Sequence, residues 1–163
     1  MNTLPQRKLN RLKDYDYSLN NYYFITICIE DRKELLSEIK NEKCVLTKYG
    51  KIIEKTLHNL PNFYPCELDE FVIMPHHIHA IIILDNKTGS SRKSLSTIIQ
   101  RFKTFTTMNI NKLVGEEYKF RWQKSFYDRI IRNERELYQI RNYIRYNPLK
   151  WELEKDLPEN LDL

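Results

Sequence analysis

The sequence has three glycines in 163 residues, and that scarcity removes several chemistries at once. There is no glycine-rich loop to cradle phosphates, no G-x-S-x-G elbow and no dinucleotide fingerprint. Cysteine is also sparse: Cys28, Cys44 and Cys66 are odd in number and widely spaced, with no C-x-x-C pair. A disulfide framework or zinc knuckle is not expected, and free thiols in a reducing cytoplasm are. No apolar run approaches the roughly 18 residues that a membrane span needs, and the opening "MNTLPQRKLNRLKDYDY" has no apolar h-region of a secretory signal. Cytoplasmic placement without membrane contact is the expectation.

The hydrophobic fraction of 41% suits a folded domain, and the length suits a single one over 1–163. The net charge of +5 favours an acidic partner such as nucleic acid. Residues 1–20, with Arg7, Lys8, Arg11 and Lys13, read as a basic arm. Residues 151–163 read as an acidic tail.

"YYFITICI" is β-branched and aromatic, which predicts a strand. Ile52, Ile53, Leu57 and Leu60 recur at helical spacing, with Pro61 and Pro65 expected to end that helix. "ELDEFVIM" and "HAIIIL" predict two strands, or one broken at Pro75. After a loop from Asp85 to Ser94, Ser94 is a candidate N-cap for a helix with Leu95, Ile98, Ile99, Phe102 and Phe105 on one stripe. "FRWQKSFYDRIIR" is extended. Asn133, with Glu136 three residues on, resembles a capping box, and Pro148 predicts a helix end near Asn147. Strands interleaved irregularly with helices predict an α+β fold with a mainly antiparallel sheet.

The stretch "IMPHHIHAIIIL" holds three of the chain's four histidines. Strand alternation puts His77 and His79 on one face and His76 on the other. Two imidazoles at i and i+2 can converge on a divalent ion. They can equally be half-buried side chains satisfied by hydrogen bonds, and the pair alone leaves both readings open.

A second group lies on the last helix. At about 100° per residue, Leu137, Ile140 and Ile144 form the buried stripe. Tyr143 and Asn147, one turn apart, share a flank of it, while Tyr146 points away. With 11 tyrosines in the chain, helical geometry says only that Tyr143 and Asn147 are able to act together.

"MPHHIH", "WQKSFYDRIIRNERE" and "YIRYNPLK", in that order, resemble the HUH single-tyrosine transposases, and most closely their IS200-like, REP-associated tyrosine transposase branch. "RLKDYDYSLNNYYFITICIEDR" is similar to the amino-terminal strand region of that branch, so the likeness runs from about Arg11 to Lys150. It implies a ferredoxin-like antiparallel sheet with helices packed on its faces and the histidine strand near its centre. It implies His77, His79 and Asn147 as ligands of Mg²⁺ or Mn²⁺, and Tyr143 as nucleophile. The implied reaction cuts and rejoins single-stranded or hairpin DNA through a 5′-phosphotyrosine intermediate. Monomers and homodimers both occur among such proteins. The family usually has asparagine where this chain has His76. Two alternatives stay open: a domesticated hairpin-binding module, or a metal phosphodiesterase with water as nucleophile.

Basic residues fit a DNA path. From Lys119 to Lys150 there are nine lysines or arginines against three acids, an excess of six. Lys124, Arg129 and Arg132 are candidate phosphate contacts, followed by Arg101 and Lys103. Phe120, Trp122, Phe126 and Tyr127 are core residues or stacking platforms for unpaired bases.

Overall fold

A computed structural model describes residues 11–87 and 91–155. Its elements are β1 (Tyr22–Cys28), β2 (Ser37–Lys40), β3 (Lys43–Leu46), α1 (Lys48–Phe63), β4 (Cys66–Ile73), β5 (His77–Leu84), α2 (Leu95–Asn111), β6 (Tyr127–Ile131) and α3 (Glu134–Lys155). Four strands form one antiparallel sheet in the order β4-β5-β1-β6. β5, carrying His77 and His79, is an inner strand of this α+β, ferredoxin-like architecture.

Both faces of the sheet are covered, and alternation divides the work. Tyr23, Ile25 and Ile27 of β1, with Ile78, Ala80 and Ile82 of β5, pack against α1 and α2. Phe24, Ile81 and Ile131 point the other way and meet Ile144, Leu137 and Ile140 of α3. Each isoleucine removed from water this way stabilises the fold by roughly 1.5–3 kcal/mol. "AIIIL" is unbroken because an inner strand with helices on both faces has no polar side.

The strands β4 and β5 are separate, joined by a turn at Met74–His76. Pro75 has no N–H to donate, and a turn needs none from it; its carbonyl accepts from the Leu35 and Leu36 amides, both at 3.0 Å. The His76 carbonyl accepts from Ile29 N at 2.9 Å. β2 and β3 form a small separate hairpin, which the charged sequence after β1 did not reveal. Its turn residues, Asn41 and Glu42, both have positive φ (51° and 64°), the conformation a tight two-residue hairpin requires. Gly50 at the start of α1 is required by a close approach: a Cβ there would lie 2.1 Å from the Leu36 carbonyl oxygen.

The proline expectations hold only in part. α1 runs past Pro61 but ends at Phe63, with Tyr64 as its C-cap directly before Pro65. α3 runs past Pro148 to Lys155. An interior proline forfeits one helical hydrogen bond and costs about 3 kcal/mol. In α3 tertiary contacts offset that cost: Pro148 is buried, Trp151 docks on His76, Glu152 accepts from the Glu42 amide at 2.8 Å, and Lys155 pairs with Glu34 at 3.4 Å. The start of the expected acidic tail is therefore the end of α3, and residues 156–163 lie outside the described residues.

Likewise, the basic arm lies partly outside them, and from Arg11 onward it is packed. Arg11 bonds Ser96 at 2.5 Å, Tyr15 and Tyr17 join the core, and Asn20 exchanges hydrogen bonds with Asn86. Ser94 caps α2 as expected, but Phe105 is exposed while Thr106 and Ile110 are buried. Phe120 and Trp122 are core residues, with the Trp122 indole donating to Thr106 at 2.9 Å. They present no surface to a base.

Candidate metal and nucleophile site

The site forms where the start of β5 meets the underside of α3. The antiparallel register sets Thr26 of β1 opposite His79, and Val72 of β4 on its other side. Thr26 is also opposite Tyr127 of β6. These four side chains make a row across the α3 face of the sheet.

The ring nitrogens are ordered by their partners. His79 Nδ1 lies 2.8 Å from Thr26 Oγ1. His77 Nε2 and His79 Nε2 lie 3.1 Å apart. His77 Nδ1 lies 3.0 Å from His76 Nδ1. Burial pushes His77 down to about 3, with the charges of His79 and His76 adding to the effect. Burial likewise pushes His79 down to about 4. Both rings are therefore neutral at physiological pH, as a metal ligand must be.

α3 supplies the other groups. The Tyr143 ring lies 5.3 Å from that of His79 and meets Phe24 edge-on at 6.0 Å. It is 44% exposed, so part of the side chain is open to solvent. Tyr146 is turned to solvent, as its helical position predicts. Two turns beyond Tyr143, Trp151 lies 4.9 Å from His76 and 6.0 Å from His77. Asn147 stands midway between Tyr143 and Trp151 on the same flank and is buried. The helix therefore sets the Tyr143 ring against His79 and the Trp151 indole against His76 and His77, with the Asn147 amide between them on the same helical flank.

This arrangement has a direct bearing on metal binding. Two nitrogens each about 2.1 Å from an ion, at right angles, would be about 3.0 Å apart, close to the observed Nε2 separation. Among the described residues no three His, Cys, Asp or Glu side chains form a metal cluster. The Asn147 amide, one turn beyond Tyr143 and buried, is the candidate for a further ligand. Two imidazoles and an amide oxygen suit a divalent ion of intermediate hardness such as Mn²⁺, or Mg²⁺ with waters completing its shell.

His76 does not lie where alternation put it. It belongs to the turn before β5, not to the strand, and its ring lies between those of His77 and Trp151, tilted to the first and edge-on to the second. The alternation rule applies only from His77 onward.

The five expected phosphate contacts are dispersed. Arg129 and Arg132 line a cleft of about 680 Å³ between β6 and the start of α3, together with Arg11, Arg135 and Tyr127. Arg129 is partly engaged by Glu136 at 2.5 Å. Lys124 is exposed on the loop before β6. Arg101 lies on the opposite side of the sheet, in an apolar groove with Phe63 and Phe105. Lys103 donates to the carbonyls of Gln123 at 2.8 Å and Ser125 at 3.1 Å, and burial pulls its ammonium down to about 8. It holds the loop. Two arginines counted in the basic excess, Arg141 and Arg145, are paired with Asp69 and Glu70. Sequence reasoning missed Thr26 and Trp151, because strand register and inter-element contacts have no local signature; it placed Arg11 in the basic arm and counted Arg135 only in the basic excess.

Comparison with known proteins gives a family and a shared fold. The family model described as "Transposase IS200 like" matches residues 17–147. A Haemophilus influenzae protein of uncharacterized function is 34% identical over 167 residues, covering 91% of this chain and 92% of its own. A second protein of that organism, assigned as a REP-associated tyrosine transposase, is 26% identical over 150 residues, covering 88% and 80%. Among solved structures, a REP-associated tyrosine transposase bound to a REP hairpin superposes with a TM-score of 0.64 at 21% identity, covering 86% of this chain and 74% of that one. A Deinococcus radiodurans protein assigned as a transposase superposes at 0.52 with 14% identity, covering 82% and 94%.

Proposed function

The chain belongs to the IS200-like transposase family, and on that premise we propose that it cuts and rejoins single-stranded DNA beside short hairpins, with Tyr143 as nucleophile. The observation that carries this reading is the contact of Tyr143 with His79, 5.3 Å between ring centroids, beside two neutral imidazoles whose Nε2 atoms converge at 3.1 Å.

In the proposed step Tyr143 Oη attacks the scissile phosphorus. The P–O3′ bond breaks as the P–Oη bond forms, leaving a 5′-phosphotyrosine. The phenol proton ends on the departing 3′ oxygen. One phosphodiester replaces another, so the step is reversible and needs no nucleotide energy source. A tyrosine, unperturbed near pH 10, needs adjacent positive charge to attack at neutral pH. His77, His79 and Asn147 would hold a divalent ion, Mg²⁺ or Mn²⁺, which when bound supplies charge that stabilises the phosphate in its transition state. Phe24 buttresses the Tyr143 ring from the sheet side, and the exposed face receives the DNA. Arg132, Arg129 and Lys124 are suited to contact its phosphates. The hairpin preference follows the relative solved with a REP hairpin.

The test is a denaturing gel after incubation with single-stranded hairpin DNA and Mn²⁺. A covalent protein–DNA adduct is expected, absent in Tyr143→Phe and retained in Tyr146→Phe. Cleavage without an adduct would instead point to a hydrolase using water. Tight hairpin binding with neither product would make the protein a binding module.

A further inference from the structure

We propose that His76 is a positioning residue, one that fixes the orientation and tautomer of His77 so that His77 Nε2 faces His79. The inference rests on the reading of His77 and His79 as a metal-binding pair, and it gives a task to the histidine that alternation had set aside.

A neutral imidazole has one N–H and one lone pair. If both Nε2 lone pairs are to face one ion, both Nδ1 atoms must carry the protons, and each proton then needs an acceptor. For His79 the acceptor is Thr26 Oγ1 at 2.8 Å. For His77 it is His76 Nδ1 at 3.0 Å, which obliges His76 to carry its own proton on Nε2. Ligating histidines depend on such partners, and losing one commonly weakens metal affinity 10–100-fold.

The position of His76 is itself secured. Its carbonyl holds the Ile29 amide at 2.9 Å. Its ring meets that of Trp151 edge-on at 4.9 Å, 62° from coplanar. Trp151 lies on the helix that carries Tyr143. The chain thus links the nucleophile's helix to the ring orientation of the histidine pair through His76. An asparagine at this position would offer an amide oxygen to the same His77 N–H, so the two residue types are interchangeable in chemistry though not in shape.

The test compares wild type with His76→Asn and His76→Leu in the full chain. In Mn²⁺ calorimetry, His76→Leu should bind 10–100-fold more weakly, while His76→Asn should stay within about threefold of wild type. Nitrogen-15 spectra of the imidazoles in the metal-free protein provide a readout that activity does not. His77 should hold a single tautomer in wild type and His76→Asn, and exchange between two in His76→Leu. A His77 spectrum unmoved by His76→Leu would overturn the proposal. So would a loss of Mn²⁺ binding in His76→Asn equal to that in His76→Leu, which would make His76 a ligand. The spectra decide the proposal whether or not metal binds; failure of the metal-site reading would appear separately, as no Mn²⁺ uptake by wild type.

Discussion

Arg141 of α3 grips both carboxylate oxygens of Asp69 in β4, Nε to Oδ2 at 2.8 Å and Nη2 to Oδ1 at 2.9 Å. One turn on, Arg145 holds Glu70. Asp69 and Glu70 occupy the irregularity between Leu68 and Phe71 where the β4–β5 register shifts. A bulge re-aims side chains, and here consecutive acids both reach the helix. Tyr143 belongs to the same turn of α3 but to its opposite flank, so the two pairs fix the helix that carries it. Solvent-screened pairs of this kind contribute little to stability, so their consequence is geometric.

Arg141→Met should lower Tm by only about 2–4 °C. It should slow adduct formation about tenfold or more, because small misplacement of a nucleophile is costly. Thermal melts and single-turnover gels on the same preparation check this. A rate loss no larger than the stability loss would show that the pair does not position Tyr143.

Stability of the metal-free protein should depend on pH through His77 and His79. Folding depresses both, to about 3 and about 4, from an ordinary value near 6.5. Above that value neither state takes a proton and the full stability is present. As pH falls from about 6.5 toward 4, the unfolded chain gains protons that the folded one refuses, and stability declines. Below about 3 the folded protein takes them too and this contribution levels off. Denaturant melts from pH 8 to 4 should show the decline, and it should shrink in a His77→Ala, His79→Ala double variant.

Thr26→Val removes the acceptor from His79 Nδ1 with almost no change in shape. The Nδ1 group is then left unsatisfied beside a buried ring, at about 1–3 kcal/mol. Mn²⁺ affinity should fall 10–100-fold by calorimetry while circular dichroism stays native. An unchanged affinity would mean that His79 does not bind metal through Nε2.

Arg132→Ala should weaken hairpin binding and reduce the slope of log K against log salt by about 1. Lys103→Ala should leave that slope unchanged and lower Tm instead, because its ammonium holds the carbonyls of Gln123 and Ser125. Fluorescence anisotropy across salt concentrations separates the two. An equal slope change in both variants would put Lys103 on the DNA path.

The sequence alone determined what is periodic or chemical. Alternation in "HIHAIIIL" put His77 and His79 on one face, and the helical period placed Ile144 inward, Tyr146 outward and Asn147 beside Tyr143; all of these hold. Composition excluded phosphate loops and disulfide frameworks, and three ordered motifs pointed to the family. Rules of local propensity failed where distant contacts outweighed them. Pro148 did not end α3, since Trp151, Glu152 and Lys155 find partners beyond it. His76 escaped the alternation rule because the strand begins one residue later. Charge counting overstated the basic surface, since Arg141 and Arg145 are neutralised by acids more than 70 positions away in sequence. Tertiary structure decided which side chains meet: strand register set Thr26 beside His79, and the docking of α3 brought Tyr143 and Trp151 to the histidines. Those encounters join residues far apart in the chain, and no local pattern encodes them.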